Sequence, residues 1–292
     1  IVSLIESISQ IPHTTHYQME SIALYDQVSQ IISAVESTTL FTSITPRLVP
    51  QTEAASGVLP RPTVTVTSES TAEDAGDHNG GGIKFIGAVE IASSIEVCIP
   101  EVCIFFEDKL YRGNRTTKIN SEYFEAFYSG NYPSLAKVGI NISYKKNLFL
   151  DMPKGELKVY KKIEDSIGII KIFPGIKESY LRAILSIKGL KGVVLETYGS
   201  GNAPTEKWFL DIIKEAIDNE IIVYNVTQCK SGSVVMGHYE TSAHLLDMGV
   251  ISGHDITTES AVSKLMFVLG NYTDKEEIKE LLNQSLRGEI SL

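Results

Sequence analysis

From residue 167 to the C-terminus, short β-branched runs alternate with amphipathic stretches of helical period. That alternation is the sequence form of βαβ units stacked on a parallel sheet. Residues 167–173 read as a buried strand and 176–186 as the helix after it. The next strand is 191–197, followed by a Gly-rich turn and a helix over 206–219 with Trp208, Ile212, Ile213 and Ala216 on one face. Residues 221–226 form a third strand, 237–248 a helix and 250–252 a short fourth strand. Helices over 257–269 and 274–286 close the domain. Thr257 or Thr258 and Asp274 are their N-caps, because their side-chain oxygens can accept orphan backbone N–H groups.

Upstream the pattern is less regular. Residues 97–106 read as an apolar strand preceded by a helix over 83–93, and 150–163, with its Pro-Lys-Gly and mixed charge, as the connection between two domains. Before residue 83 an amphipathic helix over 22–35 and an edge-like strand over 61–67 are the only elements the pattern suggests. Composition changes at the same place. Residues 1–83 carry two basic and nine acidic residues, no lysine, and Ser/Thr-heavy runs ending in the Asn79-Gly80-Gly81-Gly82 tract, whereas residues 84–292 are nearly charge-balanced. The first segment therefore resembles a linker or low-complexity stretch more than a packed half-domain.

The overall balance excludes some partners. A net charge of −10 repels phosphate and anionic lipid, so neither nucleic acid nor a membrane surface is expected. No apolar run reaches about 18 residues and residues 1–11 lack the basic start of a signal peptide, so neither a membrane span nor a leader is expected. Three scattered cysteines do not make a disulfide framework and point to a reducing, cytoplasmic setting. Three histidines, His238, His244 and His254, raise the question of a metal, but the first two are six residues apart and no acidic or Cys partner stands at a ligand spacing. No metal is expected, and the glycine tract lacks the Lys-Ser/Thr ending of a phosphate loop.

Several segments then carry a resemblance. These are Pro100-Glu101-Val102-Cys103-Ile104, Arg112-Gly113-Asn114-Arg115-Thr116-Thr117-Lys118 and the Ser-x-Asn-Tyr-Pro pattern ending at Pro133. They continue with Glu196-Thr197-Tyr198-Gly199-Ser200-Gly201-Asn202-Ala203-Pro204, Asn225-Val226-Thr227-Gln228-Cys229 and Gly249-Val250-Ile251-Ser252-Gly253-His254-Asp255-Ile256-Thr257. In order and at this spacing, they make the chain resemble the bacterial cytoplasmic (type I) L-asparaginase family from about residue 86 to the C-terminus.

The resemblance implies an α/β fold of two Rossmann-like domains with parallel sheets, the N-terminal one incomplete. It divides the chain into an N-terminal domain over 1–150, of which 1–83 is degenerate or non-homologous, a linker over 151–166 and a C-terminal domain over 167–292. It implies hydrolysis of L-asparagine to L-aspartate and ammonia by a threonine nucleophile with a Thr-Asp-Lys proton-moving group. No cofactor is implied. Lys118 matches the lysine of that group, and Asn202 an asparagine presented to the active site of a neighbouring subunit, which implies a homodimer or homotetramer. Thr227 and Cys229 match effector-site positions in some type I enzymes. That site wants a base where Glu196 stands, and a carboxylate there repels the ligand's own, which counts against amino-acid activation; the plain reading of Cys229 is a small buried apolar residue at a strand end.

The family's Thr-Gly-Gly-Thr and Gly-Thr-Asp-Thr segments have no counterpart here. Counting back from Lys118 lands near residues 42–45, where Thr45 offers a hydroxyl but no carboxylate neighbours it. Three readings stay open. Residues 1–83 do not encode the usual N-terminal half, through a discontinuity of reading frame near residue 83; or the protein is a catalytically inactive amino-acid-binding or dimerisation module; or it is a hydrolase using Thr45 or another hydroxyl of that segment. The first two predict little or no turnover by this chain. Preference for asparagine over glutamine turns on one methylene and is not set by these motifs.

Overall fold

The computed structural model describes residues 64–65, 80–94, 96–123, 125–154, 158–237 and 240–291; the expected helix over 22–35 and Thr45 lie outside the described residues. The C-terminal half is the expected βαβ stack. Strands β8 (Ile167–Lys171), β9 (Gly192–Thr197), β10 (Ile222–Thr227) and β11 (Ile251–Ser252) pair in parallel and in chain order. The register runs Ile167 to Gly192, Ile222 to Gly192 and Tyr224 to Ile251.

Period-two alternation sorts the strand side chains onto two faces. Val193, Leu195 and Val223 meet Leu181 and Leu185 of helix α2 (Glu178–Leu185), Phe209, Ile212, Ile213 and Ala216 of α3 (Lys207–Asp218) and Leu245 of α4 (Glu240–Asp247). On the other face Val194, Tyr224 and Val226 meet Ala261, Leu265 and Val268 of α5 (Thr258–Asn271) and Ile278 and Leu282 of α6 (Lys275–Asn283). The last two helices start where the caps predict: the Thr257 side chain accepts from the Ser260 amide and Asp274 from the Glu277 amide.

Three expectations need correcting. Residues 167–173 are not a fully buried strand: β8 is the sheet edge among the described residues, and Ile169, on the same face as Val194, is 51% exposed. The strand expected over 97–106 is only β2 (Cys103–Phe106), because Pro100 has no amide to give a ladder and Glu101 turns inward to an arginine. The N-terminal sheet is also mixed rather than parallel. Among the described residues its order is β1 (Val64–Thr65), β2, β3 (Lys109–Arg112), β6 (Ala136–Val138), β7 (Ile142–Tyr144), and only β1–β2 is parallel.

Helix α1 (Gly80–Ser93) stands between β1 and β2 in the chain and lays Ala88 and Ile91 on Cys103 and Phe105. After β2 the chain reverses at once, with Glu107 at φ 56° in the two-residue turn between Phe106 and Lys109. A two-residue connection cannot make a parallel crossover, so the antiparallel character follows from the turn. Among the described residues of 145–166 there is no strand and only a 3-10 turn (Lys146–Leu148).

Candidate active site

The Arg112 to Lys118 segment leaves β3, makes one 3-10 turn (Gly113–Arg115) and enters the short strand β4 (Thr117–Lys118). Strand β4 pairs antiparallel with β5 (Phe127–Tyr128), Lys118 opposite Phe127, and the Ile119 amide extends the ladder to Ala126 O at 2.7 Å. Lys118 thus sits at the exposed end of a hairpin that projects from the N-terminal sheet toward the C-terminal domain. Its neighbour Thr117 donates across the domains to Glu259 Oε2 at 3.1 Å.

Two arginines before Lys118 are buried, which cationic side chains tolerate only when paired and hydrogen-bonded. Arg112 makes a forked contact with Glu101, bonding Oε2 through Nε and Oε1 through Nη2 at 3.0 Å, and also donates to Leu148 O and Gly288 O. Its guanidinium lies 4.2 Å over the Tyr132 ring. Arg115, 2% exposed, forks onto Asp255, with 3.0 Å to Oδ1 and 2.6 Å to Oδ2, and donates to Glu289 O, Asn131 O and Ser291 Oγ. Burial pushes the Asp255 carboxyl up, but Arg115 and the Ser291 amide and hydroxyl outweigh it and hold the group below the usual carboxylate range.

Asp255 reaches Arg115 from the loop after β11. Gly253 donates to Asn225 O at 2.7 Å, and a Cβ on it would lie 2.8 Å from that same oxygen, so the loop closes there only without a side chain. His254 follows at φ 53° and Asp255 turns to the domain interface. Gly253→Ala is therefore expected to cost about 1–3 kcal/mol. The check is a fall in the urea unfolding midpoint at unchanged slope; an unchanged midpoint would remove the close approach as the reason for this glycine.

Asn202 closes a tight turn at the C-terminal edge of the parallel sheet, where ligands settle in open α/β folds. Its amide donates to Tyr198 O at 2.8 Å and its carbonyl accepts from Tyr198 N at 2.9 Å. Half-buried, its side chain makes no hydrogen bond among the described residues. Thr227, at the end of β10, is buried beside the same turn. Its hydroxyl donates to Gly199 O at 2.5 Å and accepts from the Cys229 amide at 3.0 Å. Cys229 itself is exposed, not the buried apolar residue expected, because β10 ends at Thr227 and the chain leaves the sheet before it. Glu196 is held by Thr258 Oγ1 at 2.6 Å and lies 3.7 Å from Lys171 Nζ.

The structure brings Asn202, Thr227 and Cys229 to one corner and places Lys118 on a separate hairpin. Residues 228–235 run between the two. Val235 N donates to Ser200 O at 2.9 Å, while Ser231 Oγ meets Tyr128 OH at 3.1 Å and Gly232 exchanges bonds with the Asn131 amide group. Cys103, the other cysteine within the resembling text that could be weighed as a nucleophile, is excluded as one, because burial first and Glu101 second push its thiol up to about 12. Arg115, Asp255 and Asn131 were not singled out by the sequence. Their signal was a pair of opposite charges inside otherwise small-residue and polar motifs, with nothing to say that the two motifs meet.

Comparison with known proteins agrees with this architecture. Residues 55–150 match the family described as "Asparaginase, N-terminal", and residues 166–282 match "Glutaminase/Asparaginase C-terminal domain". The crystal structure of L-asparaginase I from Vibrio cholerae superposes with a TM-score of 0.71 at 36% identity, over 80% of this chain and 69% of that one. The chain belongs to the asparaginase family.

Among its relatives, L-asparaginase 1 of Escherichia coli is 40% identical over 214 residues, 73% of this chain and 62% of that protein. The human 60 kDa lysophospholipase is 39% identical over 213 residues, 72% of this chain and 36% of its own length. The chain thus spans less than two thirds of the curated relatives it matches. The N-terminal family match begins at residue 55, so it takes in β1 as well as the segments from residue 86 onward.

Proposed function

We propose that this protein is an amidohydrolase of the asparaginase type that takes L-asparagine and water to L-aspartate and ammonia without a cofactor. The observation that carries the reading is the placement of Lys118, on a hairpin fastened by the buried Arg115–Asp255 ion pair to the domain that carries Asn202. A hydroxyl attacks the side-chain amide carbon, its proton passing to a base and on to the amide nitrogen, so that the C–N bond breaks and ammonia leaves; water then adds to the acyl-enzyme ester, releasing aspartate and restoring the hydroxyl. Lys118 is the proton-moving amine of this scheme. Thr45 is the hydroxyl that spacing from Lys118 nominates.

Asn202, with an uncommitted amide at the sheet edge, is the substrate-binding group, reaching the active site of a neighbouring copy. A homodimer or homotetramer follows from that assignment. Thr227 has its hydroxyl engaged within the turn and Glu196 is a carboxylate, which supports a structural role for Thr227 and Cys229 over effector binding. The division into 1–150, a linker over 151–166 and 167–292 is supported by the gap between the two family matches. A cytoplasmic setting accords with three cysteines that are free thiols, and no helix among the described residues is long and apolar enough to cross a membrane. No nucleic-acid partner is proposed.

Ammonia release from asparagine and from glutamine by the purified chain is the test. Lys118→Ala is expected to lower any such release by about a hundredfold or more, at unchanged unfolding midpoint. Asparagine binding by calorimetry without turnover would instead select the amino-acid-binding reading. Loss of neither activity nor binding in Lys118→Ala would remove Lys118 from the site.

A further inference from the structure

Both strands of the Lys118 hairpin are tied down at the same point. Arg115 stands two residues before β4 and Asn131 three residues after β5, and they meet at one loop of the opposite domain. Arg115 forks onto the Asp255 carboxylate. Its Nη2 also donates to Asn131 O at 3.3 Å, and Asn131 Nδ2 donates to Asp255 O and to Gly232 O, each at 2.9 Å. The three residues therefore bond one another in a closed triangle whose sides are the two ends of the hairpin and the loop after β11.

We propose that Arg115, Asp255 and Asn131 are positioning residues that set where Lys118 stands relative to the C-terminal domain. The proposal rests on the reading of Lys118 as the proton-moving amine. A two-residue ladder is too short to hold its own orientation, so the hairpin takes its pose from whatever fixes its ends. A forked guanidinium–carboxylate contact fixes distance and plane together, and Lys cannot replace Arg in that geometry. Asn131 repeats the constraint on the second strand: its side chain satisfies two carbonyls of the C-terminal domain and accepts from Gly232 N at 2.7 Å. A Cβ on Gly130 beside it would collide with Lys230 O, so the two domains approach there at backbone distance.

A purely structural pair would change stability and leave the chemistry of Lys118 alone. The discriminating measurement is competitive acylation of the full folded chain at one pH, read by peptide mapping as the rate at Lys118 relative to exposed Lys177. Arg115→Lys, Asp255→Asn and Asn131→Ala are each expected to change the Lys118 to Lys177 rate ratio severalfold. Leu245→Ala, a change in the core between the parallel sheet and its helices, lowers stability and leaves the ratio in place. A wild-type ratio in folded Arg115→Lys and Asn131→Ala would overturn the proposal, as would an equal change in Leu245→Ala; if the two ion-pair variants do not fold, Asn131→Ala, which keeps both charges, decides. Ammonia release by Lys118→Ala tests the underlying reading separately: wild-type release there with shifted labelling in the clamp variants would retain the clamp and reject the catalytic role.

Discussion

Replacing Lys264 by methionine is expected to lower the stability of the chain by about 3–5 kcal/mol, the range for breaking one side of a buried ion pair. Lys264 is 5% exposed in α5, and its three N–H groups are all used: on Glu289 Oε1 at 2.8 Å, on Leu282 O at 3.0 Å and on Gln284 O. Those two carbonyls belong to the last turn of α6 and its cap, which have no partner within the helix. Glu289 in turn accepts from the amides of Leu286 and Arg287 at 2.9 and 2.6 Å. Without the ammonium, the carboxylate stays buried and unpaired. The readout is the urea midpoint. Because Arg112, Asn114 and Arg115 bond the carbonyls of Gly288, Arg287 and Glu289, the same variant should expose residues 284–291 to protease. A loss under about 1 kcal/mol, or a tail still protected, would show that the pair is not what docks the C-terminus. Glu289→Gln should cost less, since it keeps an acceptor for the same donors.

How much of this was legible beforehand depended on whether the information was local. The parallel sheet was, because each strand from 167 onward carries its own β-branched run and each helix its own apolar face and cap; Thr257 and Asp274 cap as their side chains require. What failed was the environment of β8 and β2. Whether an apolar strand is central or at an edge depends on which strands pair beside it, and Ile169 looks the same in either place. Residues 97–106 are apolar but for Glu101, yet Pro100 removes one donor and Glu101 is engaged by Arg112, eleven residues away in sequence. The reversal at Glu107 was hidden because a non-glycine residue occupies the left-handed position where Asn or Gly usually announces a hairpin.

The candidate site divides in the same way. Lys118 and Asn202 were visible as members of motifs, while the groups that place them were not. Arg115 and Asp255 are 140 residues apart, and no spacing rule brings them together. Cys229 was misjudged by one turn of chain, since residues just past a strand end alternate between core and solvent with no signal in their own identity.

Acidification should loosen this interface before it melts the parallel sheet. Asp255 and Glu289 are both held below their ordinary range in the folded protein. Burial opposes this in each, and the opposition is outweighed by Arg115 and Ser291 for Asp255, and by backbone amides and Lys264 for Glu289. A carboxyl whose folded value is depressed contributes stability that is fully present above its unfolded value, about 3.9 for Asp and 4.3 for Glu, and loses it as pH falls through the folded value. Stability should therefore be flat through neutral pH and fall steeply below about pH 4. Asp255→Asn removes one of the two titrations, so it should be less stable than wild type at pH 7 and lose less between pH 5 and pH 2. Both carboxyls lie where the tail and the Lys118 hairpin meet the C-terminal domain, whereas the two faces of the parallel sheet are apolar. Hydrogen exchange near pH 3 should accordingly show residues 113–131 and 284–291 opening while β9 and β10 stay protected. Parallel acid limbs for wild type and Asp255→Asn, or simultaneous exchange of β9 with the hairpin, would rule out the interface as the acid-labile element.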